Sequence, residues 1–134
     1  MKHYLLDTNT VSHILKAHPL VTQRLLLVPI TSLCISVVTE AELRFGLARR
    51  PDATRLRDLV QRFLTRVDIL PWDSSVAACY GNLRNDLERN GKTLAPLDLM
   101  IAAHALATNR VLVTSDTAFL QMESITIEDW THQG

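Results

Sequence analysis

The 134-residue sequence predicts an α/β fold built on a central parallel sheet of about five strands. Three observations lead there. Short apolar runs alternate along the whole chain with longer segments whose apolar residues recur at helical spacing. Strand–helix alternation of this kind makes parallel pairs joined by crossover helices, which cover both faces of the sheet. Hydrophobic residues make up 47% of the chain and charged residues 21%, the balance of a globular core and not of a disordered segment. With no repeat, low-complexity tract or linker, residues 1–134 read as one domain.

The elements follow in order. HYLL (3–6) is a short strand ending at Asp7, and residues 10 to 16 begin a helix with Thr8 or Asn9 as cap. LCIS (33–36) is the second strand, and Ser36 caps a helix from Val37 to about Leu47. Pro51 or Asp52 opens the next helix, where Leu56, Leu59, Val60, Phe63, Leu64 and Val67 form the buried stripe. VDIL (67–70) is the third strand. Asp73 or Ser74 caps a helix that Asn90-Gly91 ends, residues tolerant of the left-handed conformation. LAPLDLMIAAHALA (94–107) is a helix apolar on nearly every side, with Pro96 near its start. VLVT (111–114) and ITIE (125–128) complete the sheet.

Composition excludes several classes. Formal net charge is zero, so no global field announces nucleic acid or membrane. Arginines nevertheless crowd 44–66, with Arg55, Arg62 and Arg66 on one helix face, while no Lys or Arg follows Arg110. Cys34 and Cys79 form no CxxC pair and read as reduced core residues of a cytoplasmic protein. No signal peptide is expected, and the uncharged stretch 25–39 is short for a membrane span. Leu20, Leu25, Leu26 and Leu27 are expected in the core, with a dimer or partner groove as the other reading.

Asp98 poses the functional question, because an ionised carboxylate is seldom buried without a partner. In an open parallel sheet, ligands bind at the carboxyl ends of the strands, near the point where strand order reverses. Asp7 ends the first strand, Asp116 lies just past the fourth, Asp98 opens the apolar helix, and Glu42 lies in the helix after the second strand. Each also has an ordinary reading: Asp7 and Asp116 as caps, Glu42 as a solvated glutamate. Brought together, four carboxylates repel and take up protons unless a cation sits among them. A hard oxygen-seeking ion, Mg²⁺ or Mn²⁺, resolves burial and repulsion together, and no His or Cys stands at zinc spacing. Such a site beside a basic face suits phosphodiester hydrolysis: the ion polarises a phosphoryl oxygen and lowers the pKa of water.

Four segments also resemble a known family. LLDTN (5–9), TEAELRFG (39–46), PLDLMIAAHA (96–105) and VLVTSDTAF (111–119) look like the signature segments of PIN domains of the VapC toxin branch, in order and across the chain. The closing ITIEDW (125–130) is similar as well. The resemblance implies an α/β/α sandwich and a Mg²⁺- or Mn²⁺-dependent endoribonuclease. It also implies a homodimer silenced by a VapB-like antitoxin encoded beside it, with structured RNA, commonly tRNA, as substrate. Carried over by motif, Asp7, Glu42, Asp98 and Asp116 are the metal-binding and catalytic acids. Thr8, Asn9 and Thr114 or Ser115 are neighbours that orient acids or water.

Periodicity does not choose between Glu40 and Glu42: with Val37, Ala41, Phe45 and Ala48 as the buried stripe, the two flank it on opposite sides. The family's Glu-Leu pairing selects Glu42. Arg44, Arg49 and Arg50, which follow it, are candidates for RNA backbone contacts. A second class of function is a non-catalytic RNA- or protein-binding module, including a phosphoacceptor receiver. A receiver wants a lysine near a late strand end, and Lys2, Lys16 and Lys92 are not so placed.

Overall fold

The alternation of side chains along each strand sets the architecture. The computed structural model describes residues 1–133. Strand β1 (Tyr4–Leu6) pairs in parallel with β2 (Leu33–Ser36) on one side and β4 (Val111–Val113) on the other. Outside these lie β3 (Asp68–Leu70) and β5 (Ile127–Glu128), giving the order β3-β2-β1-β4-β5 with every pair parallel. Leu5, Cys34 and Leu112 point to one face, and Leu6, Ile35 and Val113 to the other. Both faces are apolar because both are covered.

On the first face pack α5 (Ser74–Arg89) and α6 (Pro96–Ala107), through Val76, Leu83, Leu87, Leu99 and Ile101. The other face is covered by α1 (Thr8–Leu15), α2 (Pro19–Leu25), α3 (Val37–Ala48) and α4 (Thr54–Arg66), with Val11, Val21, Leu43, Leu47 and Val60 in the core. The α/β/α layering agrees with the predicted fold class. No helix among the described residues is long and apolar enough to cross a membrane.

Several local expectations are corrected. Asp7, and neither Thr8 nor Asn9, caps α1: its carboxylate accepts from the Thr10 N–H at 2.8 Å. That geometry, an Asp oxygen meeting the third residue of the helix, is the ordinary N-cap. The Pro51–Asp52 opening forms a turn, and α4 begins at Thr54 with no side-chain cap. Helix α2 is not foreseen from the sequence, because seven residues are too few to show a period. Its cap is His18, whose Nδ1 accepts from the Val21 N–H at 3.4 Å.

The buried stripe of α3 differs too. Val38, Thr39, Leu43 and Leu47 are buried, whereas Val37, Ala41, Phe45 and Ala48 face outward. Apolar residues occur all round this helix, so two stripes compete and only the neighbouring elements choose. Leu20 and Leu25 are half-buried, but Leu26 and Leu27 are 80% and 75% exposed and are not core.

Candidate metal-dependent nuclease site

The sheet order reverses between β1 and β4, and the loops leaving those two strands meet at their carboxyl ends. Asp7 follows β1 directly. Its backbone N–H donates to Val113 O at 3.1 Å, so the chain stays paired with β4 one residue beyond the strand. Thr10 closes the same junction, its hydroxyl donating to Val113 O at 2.9 Å. The Asp7 side chain is thereby locked, and the residue is only 3% exposed. Burial pushes its carboxyl above the ordinary range and nearby Asp116 adds to this, while the hydroxyls of Thr114 and Thr10 favour the charged form.

Asp116 belongs to a 3₁₀ turn (Thr117–Gln121) that it caps, accepting from the Ala118 N–H at 2.9 Å. Its own N–H donates to Thr114 Oγ at 3.0 Å. Thr114 is therefore the link between the two acids, taking the Asp116 amide on its oxygen and lying beside the Asp7 carboxylate. Ser115, half-buried, makes no such link among the described residues.

Glu42 enters from α3. Thr8 donates its hydroxyl to Glu42 Oε1 at 2.6 Å, and the hydroxyl oxygens of Thr8 and Thr39 are 3.3 Å apart. Glu40 turns away to Arg44 at 2.7 Å. With the stripe through Val38, Thr39, Leu43 and Leu47, Glu40 and Glu42 still lie about 80° to either side of it at ~100° per residue. The position of α1, not helix periodicity, distinguishes them.

Asp98 sits in the first turn of α6, half-buried. Its carboxyl is raised above the ordinary range by burial first, then by the charges of Asp116, Glu42 and Asp7. The charges of Asp116, Glu42 and Asp7 thus all reach Asp98, and that of Asp116 reaches Asp7. Among the described residues, no hydrogen bond offsets the repulsion at Asp98. Asn9 is exposed at the rim.

As placed, no three Asp, Glu, His or Cys side chains among the described residues are close enough to ligate one ion together. The donor set nevertheless fits Mg²⁺ or Mn²⁺. Mg²⁺ keeps several waters and is commonly held by one or two carboxylates and a substrate phosphate, so it does not require a three-acid cage. Like charges in a half-buried pocket also leave a net demand for a cation. His13 and His18 stack edge to face at 5.1 Å, and His18 is occupied as a cap.

A cleft of about 260 Å³ leads away from Thr8 and Glu42 between α1, α3 and α4, lined by Leu43, Leu56 and Val60 and by the cations Lys16 and Arg50. Of the three arginines predicted for RNA, Arg50 lines this cleft. Arg49 lies over the Phe45 ring at 5.5 Å, and Arg44 is paired with Glu40. Lys16, Thr10 and Thr39 were not singled out from the sequence. For Thr10 a signal existed, its position three residues after a candidate Asp cap.

The PIN domain family model matches residues 4–124. The chain belongs to the PIN-domain family. Within it the similarity is to VapC proteins. The chain is 31% identical to the tRNA(fMet)-specific endonuclease VapC of Shigella flexneri, over 98% of this chain and all of that one. Among solved structures, DNA-bound VapBC from Salmonella typhimurium superposes with a TM-score of 0.88 at 35% identity, covering 97% of this PIN domain and 99% of that chain. VapBC2 from Rickettsia felis, bound to a promoter DNA fragment, gives a TM-score of 0.86 at 30% identity, covering 95% and 98%. Both matched assemblies are VapBC complexes.

Proposed function

We propose that this PIN domain is the toxin ribonuclease of a toxin–antitoxin pair, hydrolysing phosphodiester bonds in structured RNA, tRNA above all, in the cytoplasm. The observation that carries the reading is the set of four acids from four separate elements, three of them acting on the fourth, Asp98, at the switch point of the sheet. Asp7, Glu42, Asp98 and Asp116 are the residues that would hold Mg²⁺ or Mn²⁺. When bound, the ion would polarise a phosphoryl oxygen and lower the pKa of a water. The chain's own work is positioning. Thr10 and Thr114 hold Asp7, Thr8 holds Glu42, and the Ala118 N–H holds Asp116. Arg50 and Lys16 supply positive charge for the RNA backbone in the adjoining cleft.

Two surfaces suit the expected protein partners. Exposed Leu26 and Ile30 edge an apolar groove of about 380 Å³ with Ile14, Leu33 and Phe63, a seat for the apolar face of a VapB-like antitoxin segment. The outward stripe of α3, Val37, Ala41, Phe45 and Ala48, suits a second copy of the chain. Phe45 is 63% exposed there, and a two-fold axis beside α3 would bring two copies of the same apolar stripe together.

The test is cleavage of total RNA by the purified chain with Mg²⁺. Wild type is expected to cut, and Asp7→Asn to lose more than about 100-fold in rate. Equal cleavage by the two would remove the activity from this site.

A further inference from the structure

His104 and Ser36 form a side-chain hydrogen bond wholly in the interior, His104 Nδ1 to Ser36 Oγ at 2.7 Å. Neither the acids nor the substrate cleft uses them. Ser36 is the last residue of β2 and the cap of α3, its Oγ accepting from the Val38 N–H at 3.1 Å. His104 lies on α6, the helix that begins with Asp98. One buried bond therefore joins the start of the helix that carries Glu42 to the helix that carries Asp98.

Ser36 Oγ accepts from the Val38 amide and keeps a hydroxyl proton that it can donate to His104 Nδ1, an arrangement that goes with a neutral imidazole carrying its proton on Nε2. The Pro71 carbonyl is the acceptor beside that ring. Burial favours the neutral form; Asp73 at the cap of α5 opposes it, and Arg110 before β4 supports it.

Apart from the Trp72 Nε1–H, which donates to Met100 O at 3.1 Å near the start of the helix, the rest of α6 packs through Leu99, Ile101, Ala102, Ala103 and Ala105. Such a surface attracts without direction, and small residues present little relief to set a register. A hydrogen bond at fixed length supplies the direction, since shifting the helix strands a buried donor and acceptor. We propose that His104 is a positioning residue, fixing the register of α6 against the β2–α3 junction so that Asp98 is held opposite Glu42 to share a divalent cation.

This rests on the proposed metal-dependent site, and the experiment separates the two. The purified full chain is examined by imidazole ¹⁵N NMR and by titration with Mn²⁺ alone, then by RNA cleavage. His104 is expected as the Nε2–H tautomer with Nδ1 accepting. His104→Leu, which has no acceptor, should weaken Mn²⁺ binding about tenfold or more and lower kcat similarly, with KM for RNA unchanged within about twofold. His104→Asn, whose Oδ1 can stand for Nδ1, and Ser36→Thr, which keeps the hydroxyl, should recover Mn²⁺ binding to within about threefold of wild type. Val21→Ala, in the opposite core and away from the cleft, should lower stability and leave Mn²⁺ binding unchanged. The inference is overturned by wild-type Mn²⁺ binding in His104→Leu, by an equal loss in Val21→Ala, or by a proton found on Nδ1. If wild type binds Mn²⁺ yet cuts no RNA, the proposed function falls while the binding series still decides the role of His104.

Discussion

Thr8 and Glu42 are 34 positions apart in the chain, and the Thr8 hydroxyl donates to Glu42 Oε1 at 2.6 Å. A short bond from a neutral hydroxyl to a carboxylate fixes the acid's direction without cancelling its charge. Thr8 is the residue after Asp7, so two of the four acids are held by neighbours on one helix start.

Removing that donor should therefore harm activity more than stability. Thr8→Val keeps the shape and loses the proton. RNA cleavage is expected to fall about 10- to 100-fold, with Tm within a few degrees of wild type, while Thr8→Ser recovers most of the rate. Steady-state cleavage and thermal melts of the three proteins check it.

Asp98→Asn should abolish cleavage and leave the metal-free fold as stable as wild type or more so. The wild-type Asp98 carboxyl lies above its ordinary 3.8, held there by burial and three like charges. The folded state therefore binds this proton more tightly than the unfolded state. Metal-free stability should rise as pH falls from neutral through the raised value, the gain being complete only below about 3.8, and Asp7 should add to the same slope. Urea midpoints against pH, with chelator present, measure this; Asp98→Asn should flatten the slope. A strongly destabilised Asp98→Asn protein would make the residue structural.

Leu26→Asp and Leu27→Asp place charge on residues already facing water, so neither should lower Tm or RNA cleavage. Growth arrest on expression should then persist when a cognate VapB-like antitoxin is co-expressed, at least for Leu26, which lines the groove. Rescue equal to wild type would place the antitoxin elsewhere.

Phe45→Glu on the outward face of α3 should convert a dimer to a monomer with the fold intact, because two copies of a charge meet across a two-fold axis. Light scattering and far-UV circular dichroism read the two properties. An unchanged dimer would move the interface off this helix.

Much of this protein could be read from residue order alone. LCIS was bounded to the residue, and VDIL and VLVT to within one. Asn90-Gly91 closed α5 as expected, with Gly91 at φ +66°. These features depend on patterning and backbone preference within a few residues, which is why they are local. Asp98 stood out for a related reason: an acid opening a fully apolar helix conflicts with its own segment.

The tertiary structure decided what depends on two elements meeting. Both stripes of α3 are apolar, and only its seat against the sheet buried Thr39 and Leu43 and turned Phe45 outward. Glu40 and Glu42 flank that seat symmetrically, and it is α1, by presenting Thr8, that engages Glu42. The Ser36–His104 bond joins residues 68 positions apart, and no period relates them. A sequence determines which residues want burial or a partner, because those are properties of one side chain. Which partner each one finds is a property of distances in space, and chain spacing carries no record of those.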